Sequence, residues 1–250
     1  MTLPTLVLAG SRDGAQDPLA RLGGVAHKAL LPVVGTPMIL RVLNTLRATP
    51  GLGPMAVSIE NPDAIRPLIG DAMILPTAKG PSGSVAIALE RLGAPLLVTT
   101  ADHPLLRTEW IAQFLMGAEG KCDLAVAVAN RTVIERDVPG TKRTYIRLRE
   151  LQFSGCNLFW LGTIKARRVV ELWQKLERDR KKPWRMAATL GWGILLRAVT
   201  GRLTRDALYR RIKKLTGAKV LLIELSDGRA AVDVDKPSDL ALVEKILTHS

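Results

Sequence analysis

Cysteine and histidine are scarce in this 250-residue chain. The two cysteines, Cys122 and Cys156, are far apart with no C-x-x-C, and the three histidines, His27, His103 and His249, are scattered. That excludes a disulfide scaffold, a cysteine-rich zinc or iron–sulfur site and a histidine-built metal centre. No uninterrupted apolar run reaches the ~18 residues of a membrane-spanning helix. The first apolar stretch lacks a basic segment before it and ends at Gly10, so it reads as a strand rather than a signal peptide. The 21 Gly and 15 Pro are ordinary for this length, which excludes collagen-like and low-complexity readings. With 47% hydrophobic residues, the chain can bury one sizeable core. A reduced, cytoplasmic, globular protein is expected.

What the sequence has in excess is positive charge, +13 overall, and it is concentrated. Residues 165–219 carry 17 Lys/Arg against four acids, a net equal to that of the whole chain, while the remainder balances. The same stretch holds Trp173, Trp184, Trp192 and Tyr209, four of the seven Trp and Tyr residues. A neutral domain with a basic, Trp-bearing insertion at about 164–218 is the organisation to explain. It is expected to occupy 1–250 as a single domain.

Short β-branched runs alternate with helical patterns through the first 130 residues. Strands are expected at 5–9, 55–59, 72–75, 95–99 and 123–129, with helices at 37–48, 82–92 and 108–118 and a loop from 10 to about 32. This alternation predicts an α/β protein, a three-layer Rossmann-like arrangement around a mixed, mostly parallel sheet. Segments 143–149 and 153–160 read as consecutive strands. The insertion reads as helices at 164–180, 184–199 and 204–215. Strands at 219–225 and 230–234 and a helix at 237–247 close the chain.

Five segments carry chemistry. Leu8-Ala9-Gly10-Ser11-Arg12 ends the first strand with a glycine, which lets backbone N–H groups approach a phosphate or a base, and Arg12 adds a fixed cationic fork. It matches neither G-x-G-x-x-G nor a P-loop. Lys28 precedes an apolar run with Gly35-Thr36-Pro37-Met38, which puts a cation at the rim of the same crevice; a solvated loop lysine is the plainer alternative. Gly80-Pro81-Ser82-Gly83-Ser84 opens a helix with small residues, suited to a base edge or ribose and equally to capping. Asp102 follows an apolar strand and precedes Pro104-Leu105, at the end where parallel sheets bind ligands and where an oxygen donor suits Mg²⁺. Asp233 and Asp235 alternate near the last strand, and either could complete a metal site. Asp239, in the first turn of the closing helix, reads as a surface residue compatible with the helix dipole.

Read together, these segments resemble the nucleotidyltransferases with a GT-A-like fold, in particular the MobA-like NTP transferase family typified by molybdenum-cofactor guanylyltransferase. The resemblance covers 6–115 and 154–162 and resumes at 233–247. It rests on L-A-G-x-R at 8–12, Lys28 before G-x-P-M, Asp-x-Pro-Leu at 102–105 and D-x-P-x-D-L at 235–240. It implies that Gly10 and its loop (Leu8, Ala9, Ser11) hold base and phosphates, and that Arg12 and Lys28 neutralise the triphosphate. It further implies that Asp102 binds Mg²⁺, which Asp235 or Asp233 would complete, that Ser84 touches the nucleotide, with Gly80 and Ser82 expected beside it at the helix start, and that Asn157 lines the acceptor pocket. The loop lacks the double glycine and R-M-G of the molybdenum-cofactor enzymes, and compact members have no basic helical insertion. Both departures concern the acceptor.

The implied reaction transfers an NMP group from an NTP to a phosphorylated small-molecule acceptor, with pyrophosphate released and no covalent enzyme intermediate. Two alternatives share the fold: a glycosyltransferase using a nucleotide-sugar, for which Thr100-Ala101-Asp102 lacks a D-x-D, and a non-catalytic module that binds nucleotide or membrane surfaces. No nucleic-acid motif accompanies the positive charge, so no nucleic-acid partner is expected. Within 164–219, the apolar run 186–196 between Arg185 and Arg197 is too short to span a bilayer. It suits either an interfacial helix on anionic lipid, peripheral on the inner face of the membrane, or a face packed on the catalytic unit.

Overall fold

The structure, a computed structural model, describes residues 2–11 and 13–249; Arg12 lies outside the described residues. The chain opens with β1 (Leu3–Leu8), then α1 (Pro18–Leu22), whose N-terminal amides at Leu19 and Ala20 are capped by the Asp17 carboxylate. A small hairpin, β2 (Pro32–Val33) and β3 (Thr36–Pro37), leads into α2 (Met38–Ala48). Next come β4 (Leu52–Ser58), α3 (Arg66–Ile69), β5 (Met73–Leu75), α4 (Pro81–Leu92), β6 (Leu96–Thr100) and α5 (Thr108–Ala118). The second half holds β7 (Leu124–Asn130), α6 (Arg131–Asp137), β8 (Ile146–Arg147) and the long β9 (Gln152–Leu161). Four helices follow, α7 (Ala166–Asp179), α8 (Pro183–Leu190), α9 (Trp192–Val199) and α10 (Arg205–Thr216), before β10 (Val220–Leu225) and α11 (Pro237–Thr248).

Among the described residues, eight strands form one sheet in the order β10-β7-β9-β6-β1-β4-β5, with β8 paired to β9. All pairings are parallel except those of β9, which runs antiparallel to β6, β7 and β8. The strands are apolar on both faces because both are covered. Val7, Val57 and Leu97 point into one core with α2, α5 and α11. Their neighbours Leu6, Ala56 and Val98 point into the other, beneath α4, α7 and α10. The expected three-layer, mostly parallel α/β architecture is the one observed. The basic segment lies between two strands, β9 and β10, of that sheet.

Three local expectations are corrected. Residues 230–234 form no strand: Gly228–Ala231 is a single 3-10 turn, and the chain then crosses the strand ends, where Val234 N donates to the Asp102 carbonyl at 2.9 Å. The alternating apolar residues there, Val232 and Val234, are buried against the core rather than paired in a ladder. The helix expected at 184–199 is two helices, broken at Gly191, which adopts φ +92°. The loop from 10 to 32 contains α1. The structure adds two further helices, the short α3 and α6, and the start of α6 is marked by the Asn130 side chain accepting from Thr132 N.

The turn at 228 is tightly enclosed. A Cβ on Gly228 would lie 2.5 Å from Ile134 Cα and 2.6 Å from the Val133 carbonyl oxygen, both backbone atoms, whereas one on Gly193 in α9 would meet nothing within 4 Å. Gly228→Ala is therefore expected to destabilise by about 1–3 kcal/mol. Gly193→Ala, inside a helix, is expected to be neutral or stabilising by up to about 1 kcal/mol. Denaturant melts of the two variants check this pair; equal stability would show that the turn at 228 yields.

Candidate functional site

Two parallel strands set the site. Leu8 of β1 pairs in register with Thr100 of β6, so the loops leaving their C-terminal ends are neighbours, in the position where open α/β sheets bind ligands. The Val234–Asp102 backbone bond draws the 233–235 segment across the same ends. The result is a crevice of about 620 Å³ whose wall includes Gly10, Ser84, Asp102, Asn157, Asp233 and Asp235.

Beside it, bordering a small adjoining pocket, Lys28 Nζ lies 3.1 Å from Asp102 Oδ2 and 2.9 Å from Asp235 Oδ1, both carboxylates of the crevice wall. Burial disfavours this ammonium, but attraction to Asp102 and Asp235, reinforced by a hydrogen bond to each, outweighs it and raises its pKa above the ordinary lysine value. An ammonium has three N–H donors; two go to the carboxylates, leaving one for an anion in the crevice. The expectation of a rim cation thus sharpens: Lys28 is 15% exposed and joins two carboxylates that are 133 residues apart in the chain.

The second cation is Arg143, which no motif in the sequence singles out. Its guanidinium, 7% exposed, bridges Asp233 at 2.5 Å and Asp239 at 3.2 Å. Asp239 is not a surface residue as expected: it is 5% exposed, and its Oδ2 accepts from the Asp235 and Lys236 amides, both at 3.2 Å. Arg143 and Asp239 together therefore fix the backbone that presents Asp235. Asn157, at φ +50°, a left-handed conformation that Asn tolerates, donates from Nδ2 to Asp233 Oδ2 at 3.1 Å. Asp233 is pushed up to about 6 by burial, then by repulsion from Asp102 and Asp235, with Arg143 and Asn157 opposing.

The donor set suits a hard divalent cation. Asp102 Oδ1 is buried without a hydrogen-bond partner, an orphaned carboxylate oxygen beside a second carboxylate. Among the described residues no group of three or more His, Cys, Asp or Glu is placed to hold a metal. Mg²⁺ commonly needs only one or two carboxylates when substrate phosphates and water supply the rest, so Asp102 and Asp235 are compatible with it.

Of the other expected residues, Leu8, Ser11 and Gly80 also line the crevice. Ala9 and Lys28 border a small adjoining pocket. Ser82 does not reach the crevice wall; it is buried, and its hydroxyl donates to the Glu177 carboxylate of α7 in a short contact. Ser84 Oγ accepts from Ala78 N at 3.0 Å, shaping the turn into α4. The structure also brings in residues that the sequence does not mark. Glu60 accepts from Ser11 N at 3.1 Å and pairs with His27 Nε2 at 3.1 Å, anchoring the glycine loop, and Lys79 adds a cation to the wall. No motif spacing signals Glu60, since it lies just past the end of β4, far from the loop in sequence. His103, inside Asp-His-Pro-Leu, is fully buried and stacks on Trp110 at 5.9 Å; burial lowers its pKa to about 4, so it is neutral at pH 7.

A doubly covered, mostly parallel sheet whose strand ends gather carboxylates and a lysine around a crevice defines a nucleotide-handling α/β transferase. The chain belongs to the MobA-like NTP transferase domain family, whose model matches residues 5–218. It is similar to a hypothetical transferase from Thermus thermophilus, with 32% identity, a TM-score of 0.82 and coverage of 96% of this chain and all of that one. It also shares its fold with a CMP:2-keto-3-deoxy-manno-octonic acid synthetase solved with CTP, at 14% identity, TM-score 0.60 and 99% coverage of both chains. A 2-C-methyl-D-erythritol 4-phosphate cytidylyltransferase, also from Thermus thermophilus, is likewise similar in fold, at 19% identity and TM-score 0.57, covering 99% of this chain and all of that one. No curated protein matches the chain. The protein is an enzyme of the nucleotidyltransferase class.

Two outcomes follow from the carboxylate cluster. Arg143→Ala leaves Asp233 and Asp239 without their shared cation, and loss of one partner of a buried ion pair costs about 3–5 kcal/mol, readable as a fall in Tm. Asp233 has a raised pKa, so the folded state holds its proton over a pH range in which the unfolded chain has lost it, and ionisation weakens the fold as pH rises. Relative to Asp233→Asn, the native protein should lose roughly 2–3 kcal/mol between pH 4 and 6 and level off above. A difference that stays flat over that window would show an unshifted carboxyl.

Proposed function

We propose that the protein transfers an NMP group from a nucleoside triphosphate to a phosphorylated acceptor, releasing pyrophosphate in a Mg²⁺-dependent reaction, on one domain spanning 1–250. The observation that carries this reading is the Lys28 ammonium held between Asp102 and Asp235, two carboxylates of the strand-end crevice wall. An acceptor phosphate is already ionised at neutral pH, so no general base is required. Its oxygen attacks the α-phosphorus, a new P–O bond forms, and the bond to the β-phosphate breaks with its electron pair leaving on pyrophosphate.

In this reading the chain's own residues align charge and exclude competing geometry. The Gly10–Ser11 backbone, steadied by Glu60, approaches base and phosphates. A Cβ on Gly10 would stand 3.0 Å from the Thr77 methyl, so glycine keeps the crevice open there. The third N–H of Lys28, with Arg12, meets the departing pyrophosphate. Ser84 and Gly80 border the nucleoside, and Asn157 faces the acceptor. Asp102 and Asp235 would hold Mg²⁺, which would supply neutralisation of charge on the phosphates. Asp235 is favoured over Asp233 because it shares Lys28 with Asp102, while Asp233 is committed to Arg143 and Asn157.

The insertion supports a peripheral contact with an anionic membrane through 164–219. Trp184, Trp192, Leu196 and Val199 are all at least 59% exposed, on a segment that carries the whole positive excess of the chain. Among the described residues no helix is long and apolar enough to cross a membrane. Interfacial Trp beside Lys and Arg is the composition that anionic lipid surfaces attract.

Pyrophosphate release measured with each of the four NTPs against a panel of phosphorylated alcohols tests the proposal. Asp102→Ala is expected to abolish release while keeping its melting transition, and Asp235→Asn to cost more than Asp233→Asn. Lys28→Ala should lose about 2–4 kcal/mol of transition-state stabilisation. Full activity in Asp102→Ala would remove the assignment of the crevice.

A further inference from the structure

Outside the crevice lies an apolar cavity of about 320 Å³ between the sheet and the inserted helices. Val126 of β7, Phe159 of β9, Trp173 of α7, Leu190 of α8 and Ile212 of α10 are among its walls. Tyr209 also faces it, but its hydroxyl is engaged, accepting from Leu222 N at 2.7 Å. Native interiors leave few voids larger than a water molecule. An apolar cavity of about 150 Å³ stays dry and takes up benzene; this one has about twice that room, enough for a stretch of hydrocarbon chain.

Its neighbours on either side indicate what that chain belongs to. Ser84 lines the crevice and Val85 the cavity; Asn157 lines the crevice and Phe159 the cavity. The two spaces therefore share a wall made by the start of α4 and by β9. That wall is tied to the insertion by the Ser82–Glu177 contact and by the Phe159–Trp173 stack, at 5.5 Å between rings. On the outer side, Leu190 of the cavity wall lies two residues before exposed Trp192, which is followed by exposed Leu196. Arg185 and Arg197 flank this apolar surface, and the insertion has 17 Lys/Arg against four acids, complementary to a phosphorylated headgroup.

We infer that the cavity holds the hydrocarbon chain of a phosphorylated lipid, and that this lipid is the acceptor whose phosphate enters the crevice. The inference rests on the transfer reading above and narrows its acceptor from phosphorylated compounds in general to single-chain lipid phosphates. In the balanced step a lipid phosphate oxygen bonds to the α-phosphorus, pyrophosphate leaves, and the product is a lipid joined to the NMP through a phosphoanhydride.

The test titrates the full-length protein calorimetrically with dodecyl phosphate, dodecanol and inorganic phosphate, below the concentration at which micelles form. Saturable one-to-one binding of dodecyl phosphate and dodecanol is expected, with inorganic phosphate far weaker. Two variants fill the cavity, Leu208→Trp and Val169→Phe, so that one remains informative if the other fails to fold. Either is expected to weaken both alkyl ligands about tenfold or more while leaving affinity for the four NTPs within about twofold. Pyrophosphate release with dodecyl phosphate as acceptor completes the expected result. Release with short phosphorylated alcohols but no alkyl binding overturns the lipid inference and leaves the transfer reading standing. Alkyl binding without release from any NTP overturns the acceptor assignment and the transfer reading together. Alkyl affinity unchanged in the folded filled variants removes the cavity as the binding place. Concentration-dependent dimerisation abolished by Trp192→Ala, with no alkyl uptake, assigns the surface to a second copy and also overturns the inference.

Discussion

Three carboxylates at one end of a sheet repel one another, and the local architecture is arranged around that repulsion. Asp102, Asp233 and Asp235 are brought together by a backbone hydrogen bond between Val234 and Asp102, which cannot form without placing the side chains close. Two cations answer them, Lys28 from the segment after β1 and Arg143 from the segment before β8. The division is unequal. Arg143 is consumed by structure, since it also binds Asp239 and through it the turn that carries Asp235. Lys28 pairs with two carboxylates of the crevice wall, and Asp102 keeps one unpartnered oxygen.

The inserted helices are held by the sheet and by the start of α4. α7 and α10 cover the face that α4 alone would leave partly open. α9 turns Ile194 and Ala198 inward onto a third small core while Leu196 and Val199 face out. A helix apolar on both sides satisfies the packed and the interfacial alternatives at once, which is why its composition by itself does not choose between them.

Most of the sheet is legible in the sequence because doubly covered parallel strands read as short, β-branched apolar runs, as at 96–100 and 124–130. The motifs that carry the family resemblance are legible for a related reason: each sits at a strand end or helix start where backbone geometry restricts residue type. Legibility fails where burial imitates pairing. Val232 and Val234 alternate like a strand because alternate residues face the core, yet no strand edge is there to receive them. Asp239 reads as a surface residue from its place in a helix turn, and nothing local announces that Arg143, 96 residues earlier, buries it. Glu60 and Arg143 are solitary charges in ordinary surroundings; only the fold brings them to the loops they hold. Ser82 and Ser84, two residues apart on one helix, read alike in sequence, and the 3.6-residue period separates them, one toward α7 and one toward the crevice.

The position of the insertion has a bearing on how the chain folds. β10 lies at the edge of the sheet and pairs in parallel with β7, so the long basic segment is a loop closed by that last pairing. Loop-closure entropy grows only logarithmically, each doubling of length costing about 0.6 kcal/mol. The central strands β1, β6 and β9 are all complete before the segment begins, so the ligand-binding end can be assembled without it except for the 233–235 turn. That turn comes after β10. The last pairing in the chain therefore seats the helices and delivers the final carboxylates together, so the finished site depends on the same closure that docks the insertion.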